Sequence, residues 1–194
     1  MRILRSTCSC IFALACLSAP AQEGRSFGVQ ASLLSPLGTL KSFDSRGGYA
    51  VGLFLNLPVG TTQFIRPRLD SAVSQTQSQP LGYGAYGYTI DRSAKHLFLG
   101  ADYGVYTSGS PRGLYLFVGA GLMKSTLKEE SQSTNYYYAD NTSFDHTRSA
   151  FTAGLGWTFD RHWGVEARLT ESEFSYGGIS LSTNWVQVGA TLRF

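Results

Sequence analysis

Beyond residue 16 the chain has no cysteine; Cys8, Cys10 and Cys16 are its only three. The body of the protein therefore holds no disulfide, thiolate metal site or cysteine nucleophile. No run of eighteen apolar residues occurs anywhere, which excludes a membrane-spanning helix. Lysine is scarce, with only Lys41, Lys95, Lys124 and Lys128. Charge of one sign is missing too: without Arg2 and Arg5, 14 basic residues face 13 acidic ones, a net charge of +1. That balance argues against a nucleic-acid partner. The three histidines, His96, His146 and His162, show no HxH or HExxH spacing, so neither metal nor cofactor is expected.

The N-terminus reads as an export address. Arg2 and Arg5 precede the apolar stretch "CIFALACL" (10–17), and Ala19-Pro20-Ala21 is an A-x-A cleavage pattern. Residues 1–21 are thus a signal peptide, with Gln22 opening a single domain over 22–194. "ALAC" is a poor match to a leucine-first lipobox.

Glycine (22), phenylalanine (12) and tyrosine (11) are plentiful, and mean hydropathy is near zero. This composition favours aromatic-rich strands over helices. Eight segments alternate with a period of two. Their apolar faces begin with Phe27, Val29, Ala31, Leu33; Tyr49, Val51, Leu53, Leu55, Leu57; and Ile65, Pro67, Leu69, Val73. Leu97, Leu99, Ala101, Tyr103, Val105 and Leu114, Leu116, Val118, Ala120, Leu122 follow. The last three are Phe151, Ala153, Leu155, Trp157, Phe159; Trp163, Val165, Ala167, Leu169; and Val186, Val188, Ala190, Leu192, Phe194.

Short links (58–62, 108–112, 160–162) alternate with long ones (35–48, 74–94, 124–148, 170–183). Short periplasmic turns and long external loops give a membrane barrel this rhythm. An exported chain can enter lipid with strands only as a closed barrel. The opposite face carries many glycines with Gln30, Arg66, Arg68, Asp70, Asp102, Glu166, Arg168 and Arg193. In an eight-stranded barrel this face lines a lumen that side chains fill. Glycines on some strands would leave room for arginines on others, and Arg66, Arg68, Asp70, Asp102, Glu166 and Arg168 would form an ion-pair network closing it. Lysines fall in loops or at loop ends, while Tyr49, Trp157, Phe159, Trp163, Trp185 and Phe194 are expected in interfacial girdles.

With "YLFVGAGL" (115–122), "FTAGLGWTFD" (151–160), "WGVEARLT" (163–170), the terminal "VGATLRF" and the Ala19-Pro20-Ala21 signal end, nearly the whole mature chain resembles the small eight-stranded outer-membrane barrels of Gram-negative bacteria, the OmpA/OmpX-like family. The resemblance implies an all-β, eight-stranded antiparallel up-and-down transmembrane β-barrel in the cell outer membrane. It also implies that Phe194, with Val188, Ala190 and Leu192 before it, is read by the barrel assembly machinery.

Other motifs carry less. "GYGAYG" (82–87) fits G-x-G-x-x-G but lacks the preceding buried strand and following helix of a nucleotide site. Asn141-Thr142-Ser143 is a chance sequon. Ser143, Asp145, His146 and Ser149 sit together in a polar link without a hydrolase motif. Tyrosine-rich stretches (82–89 and 133–144, with Tyr136, Tyr137 and Tyr138) suit surface contacts. The expectation is a non-enzymatic, monomeric barrel, structural or adhesion-like, touching outer-membrane lipid and lipopolysaccharide. A narrow solute pore and a soluble lipocalin-like binder are the alternatives.

Overall fold

The structure, a computed structural model, describes residues 25–37, 47–75, 77–81, 88–133, 139–176 and 179–194. The stretch expected to be a signal peptide (1–21), the glycine-tyrosine stretch 82–87 and Tyr136, Tyr137 and Tyr138 lie outside them. The regular elements are strands: β1 (Ser26–Leu37), β2 (Gly48–Pro58), β3 (Gln63–Ser74), β4 (Gln77–Leu81) and β5 (Tyr88–Tyr106). β6 (Gly113–Ser133), β7 (Ala139–Thr158), β8 (Trp163–Tyr176), β9 (Ile179–Ser182) and β10 (Asn184–Arg193) complete the chain.

All neighbours are antiparallel, and β10 pairs with β1 on one side and β8 on the other, so the sheet closes on itself. The ten strands make eight staves, because two staves are interrupted. β9 and β10 share one register against β8, from Glu173↔Ser182 to Trp185↔Thr170. Between β3 and β4 the register against β5 slips by one residue, from Val73↔Lys95 to Gln77↔Arg92. An extra residue of this kind bends a strand.

Alternation decides which way each side chain faces. The aliphatic faces of all eight segments point outward; Leu33 (74%), Leu99 (62%), Val118 (60%) and Phe151 (63%) are largely exposed. A continuous apolar belt of this kind is what a bilayer covers. A soluble ligand-binding barrel would need that face inward.

The strands run further than periodicity suggested. Parts of two long links, residues 88–94 of the first and residues 124–133 and 139–148 of the second, are strand in β5, β6 and β7, and β8 and β9 take up most of 170–182. Lys95, Lys124 and Lys128 consequently lie within strands, above the apolar belt. Trp185 is a second correction. It is buried in the lumen and packs at a tilt against His96 with ring centroids 4.5 Å apart. The outward residues of β10 have even numbers, so residue 185 must face inward.

Glycines in the lumen sit directly across from bulk. The register pairs Gly28 with Phe54, Gly104 with Phe64, Gly154 with Phe117 and Gly156 with Tyr115. A methyl group on any of these glycines would overlap the partner's ring. Gly52 and Gly119 similarly face Asp70 and Asp102. The space that glycine leaves is thus taken chiefly by rings and carboxylates on the adjoining strand, rather than by arginines.

Tight turns close the other end. In the β5–β6 turn Gly109 (φ 69°) and Gly113 (φ 82°) hold left-handed backbone that other residues rarely adopt. In the β7–β8 turn the Asp160 carboxylate accepts hydrogen bonds from the backbone N–H groups of His162 and Trp163, each 2.7 Å long. Those bonds hold Asp160 below the usual carboxylate range. Its contribution is therefore present above the ordinary value and lost as pH falls through the lowered one. Asp160→Ala should lower the thermal midpoint of the detergent-folded barrel at neutral pH, and the gap to the parent should close below about pH 4. A gap of unchanged size at about pH 3 would show that the charge plays no part.

Candidate functional site

The six lumen charges come from three staves. Arg66, Arg68 and Asp70 alternate along one face of β3; Asp102 lies on β5; Glu166 and Arg168 lie on β8. All six are buried, and the structure brings them together. Arg68 grips Asp70 through two bonds of 2.7 Å and donates to Gln30 at 2.8 Å. Arg168 holds Asp102 with bonds of 2.6 and 3.1 Å, and the Thr152 hydroxyl donates to the same carboxylate at 2.9 Å.

Glu166 is the hub. It accepts from Arg66 at 2.5 Å, Arg68 at 3.3 Å, Arg168 at 2.9 and 3.2 Å, and the Tyr115 hydroxyl at 3.0 Å. Arg66 stands opposite Asp102 in the register, yet its guanidinium crosses the lumen to Glu166, 100 residues away. On the way it donates to Asn56 at 2.8 Å and passes 4.8 Å from the Phe64 ring centroid and 4.9 Å from that of Phe54. Rings at this distance stabilise a cation where water is excluded. Three positive and three negative groups thus meet with dense hydrogen bonding, the condition under which buried charges are tolerated.

Apolar layers lie on both sides. Toward the long-loop end, Leu34, Ala50, Ala72, Phe98, Met123, Ala150 and Trp185 pack together. Toward the turns, Phe64, Tyr106, Tyr115 and Phe117 do the same. Between the charges and the first layer is a cavity of about 10 Å³ lined by Asp70, His96, Thr170, Trp185 and Gln187. That is room for about one water.

Asn56, Tyr115 and Thr152 complete the network, although the sequence did not single them out. Their signal was parity, since each shares the inward face of its strand. At the seam, Phe194 N–H donates to the Phe27 carbonyl at 2.8 Å, and the two rings stack with centroids 6.5 Å apart. Val188, Ala190 and Leu192 line the same seam on the outward side, opposite Leu33, Ala31 and Val29 of β1.

The Ser-Asp-His grouping in β7 does not converge. Ser143, Asp145 and Ser149 share the outward face, while His146 is on the other, opposite Ser125. Asp145 instead pairs with Lys124 at 3.0 Å, and Thr126 and Lys124 hold its carboxyl below the usual range. Elsewhere His96 meets the Ser125 hydroxyl at 2.9 Å, and His162 lies 3.0 Å from the Arg193 carbonyl oxygen. Among the described residues no group of three His, Cys, Asp or Glu is placed to hold a metal ion.

No curated protein matches the chain. Among solved structures it is similar to Ail, the attachment invasion locus protein of Yersinia pestis, at 15% identity and a TM-score of 0.52, over 88% of this chain and 96% of that one. It is also similar to a major outer membrane protein from Thermus thermophilus, at 13% identity and a TM-score of 0.53, over 89% and 100%. At such identities the likeness is one of fold. The model of the outer membrane protein beta-barrel domain matches residues 9–194, and the chain belongs to that family, barrels of the outer membrane.

Proposed function

We propose that this outer-membrane barrel is a closed, monomeric, non-enzymatic surface protein that works through its extracellular edge. What supports this most is a sealed interior combined with projecting staves. β5, β6 and β7 have 19, 21 and 20 residues, whereas about 9–11 residues cross a bilayer. About ten residues of each stand clear, roughly 30 Å of strand. The tyrosine-rich stretches join these staves in sequence, and tyrosine offers contact area at low entropy cost. Ail is named for attachment, but the adhesion-like reading of this chain rests on its own tyrosines.

The lysines add a lipid-facing contact. Lys124 and Lys128 point outward from β6, and Lys95 points outward from β5 opposite Thr126, between them. Lys124 stands opposite Leu97 and two residues beyond Leu122 at the upper edge of the apolar belt, and Lys95 and Lys128 lie successively further from it. Such a row, rising from the outer boundary of the bilayer, fits lipopolysaccharide phosphates.

One set of variants tests the reading. Removing residues 133–144 should reduce binding of expressing cells to host or neighbouring surfaces to background, while the boiling-dependent gel shift of the barrel survives. Lys95→Gln/Lys124→Gln/Lys128→Gln should erase the extra thermal stability that lipopolysaccharide confers over phosphatidylcholine. Unchanged surface binding would refute the contact role, and unchanged lipopolysaccharide dependence would refute the lysine row. In planar bilayers the parent should show no steady conductance steps; steps abolished by neutralising Arg66 and Glu166 would instead favour the pore.

A further inference from the structure

Among the described residues, the buried lumen charges do not sum to zero. Arg66, Arg68 and Arg168 are matched by Asp70, Asp102 and Glu166, but Arg193 on β10 is a fourth buried cation. It is only 5% exposed. Its Nη1 donates to the Tyr106 hydroxyl at 3.0 Å, and its guanidinium carbon lies 5.7 Å from the Tyr115 ring centroid. Among the described residues no carboxylate comes within 4.0 Å of its nitrogens, the C-terminal one included. Its Nε and Nη2 have no hydrogen-bond acceptor.

Other unsatisfied donors gather at this end of the lumen. Thr191 lies two residues before Arg193 on the same face of β10, and Thr158 ends β7; neither hydroxyl has a partner. The register sets both against the same glycine, Gly164 of β8, so no side chain separates them. Arg66, 5.2 Å from the same Tyr115 ring, also has an unpartnered buried Nη2. Water could accept these hydrogen bonds but would leave the surplus charge uncompensated in a low-dielectric interior, which is costly. A monovalent anion would satisfy both.

We propose that the periplasmic mouth of the lumen is a binding site for a small inorganic anion of halide size, held by the Arg193 guanidinium with the Thr191 and Thr158 hydroxyls. Arg193 provides charge and two N–H groups, the threonines provide neutral donors, and the Tyr106 and Tyr115 rings shield the site from bulk water.

Bromide is the probe. The refolded full-length barrel is titrated with sodium bromide against sodium gluconate at equal ionic strength, and crystals grown in bromide are examined for anomalous scattering. Bromide should raise the thermal midpoint saturably, with an anomalous peak in hydrogen-bonding reach of Arg193 and Thr191. Arg193→Gln should abolish the saturable component. Thr191→Val, which retains strand propensity and shape, should weaken half-saturation about tenfold, as for one lost hydrogen bond to a charged group. If Arg193→Gln does not fold, the parent's anomalous peak and the Thr191→Val titration decide alone. Equal responses to bromide and gluconate, or only water at the guanidinium, would overturn the site.

Discussion

Glu166→Gln should destabilise the barrel by about 3–5 kcal/mol, the usual loss when one partner of a buried ion pair is removed. The substitution keeps the shape of the side chain and removes its charge. Arg66, Arg68 and Arg168 all donate to this carboxylate, so neutralising it leaves three buried guanidiniums to share Asp70 and Asp102. The loss should be read as a lower urea midpoint with an unchanged slope during reversible unfolding in lipid vesicles. A double substitution separates charge from packing. Glu166→Met/Arg66→Met removes one positive and one negative group together, leaves Arg68 with Asp70 and Arg168 with Asp102, and should recover more than half of the loss. Apolar replacement of a complete buried pair is often neutral or better. A single variant within about 1 kcal/mol of the parent, the scale of an exposed pair, would mean that the backbone ladder alone holds the interior. A double variant no better than the single would point to shape.

Side-chain direction was legible in the sequence because alternation is a local property. Within the apolar belt one face must meet lipid, so Leu97, Leu99 and Ala101 announce β5 and put Phe98 and Asp102 inside. Depth and partner are not local. That Arg66 reaches Glu166, not the Asp102 beside it, depends on how the staves are staggered around the closed sheet and on which rings fill the space between. The strand extensions are hidden in the sequence for a different reason. Above the belt water replaces lipid, and the pattern reverses: Lys95, Lys124 and Lys128 point out while Ala94 and Leu127 pack inside with Phe144. A polar outer face with sparse small apolar residues reads as loop until the lipid-facing phase is known. For Trp185 residue type and parity conflict, since an aromatic near a strand end suggests a girdle. Its odd number in β10 already put it in the lumen.

Phe194→Ala should lower the outer-membrane yield in cells about tenfold or more, the scale on which loss of an aromatic anchor weakens recognition, while leaving the finished barrel nearly as stable. In the folded protein the ring stacks on Phe27 and remains half exposed at the seam, where lipid covers it. It touches none of the lumen charges, and the backbone bond from Phe194 N–H to Phe27 survives the substitution. Truncating a surface ring in one aromatic pair should cost about 1–2 kcal/mol. That is too small to unfold a closed barrel whose lumen network is intact. A large fall in yield would therefore have to arise before closure, while β10 is unpaired and Val188, Ala190, Leu192 and Phe194 present one continuous apolar edge. Urea unfolding of the purified variant, set beside its quantity in outer-membrane fractions, separates the two stages. If yield drops only as far as the measured stability does, the terminal ring is a girdle aromatic like Trp163 and carries no assembly signal.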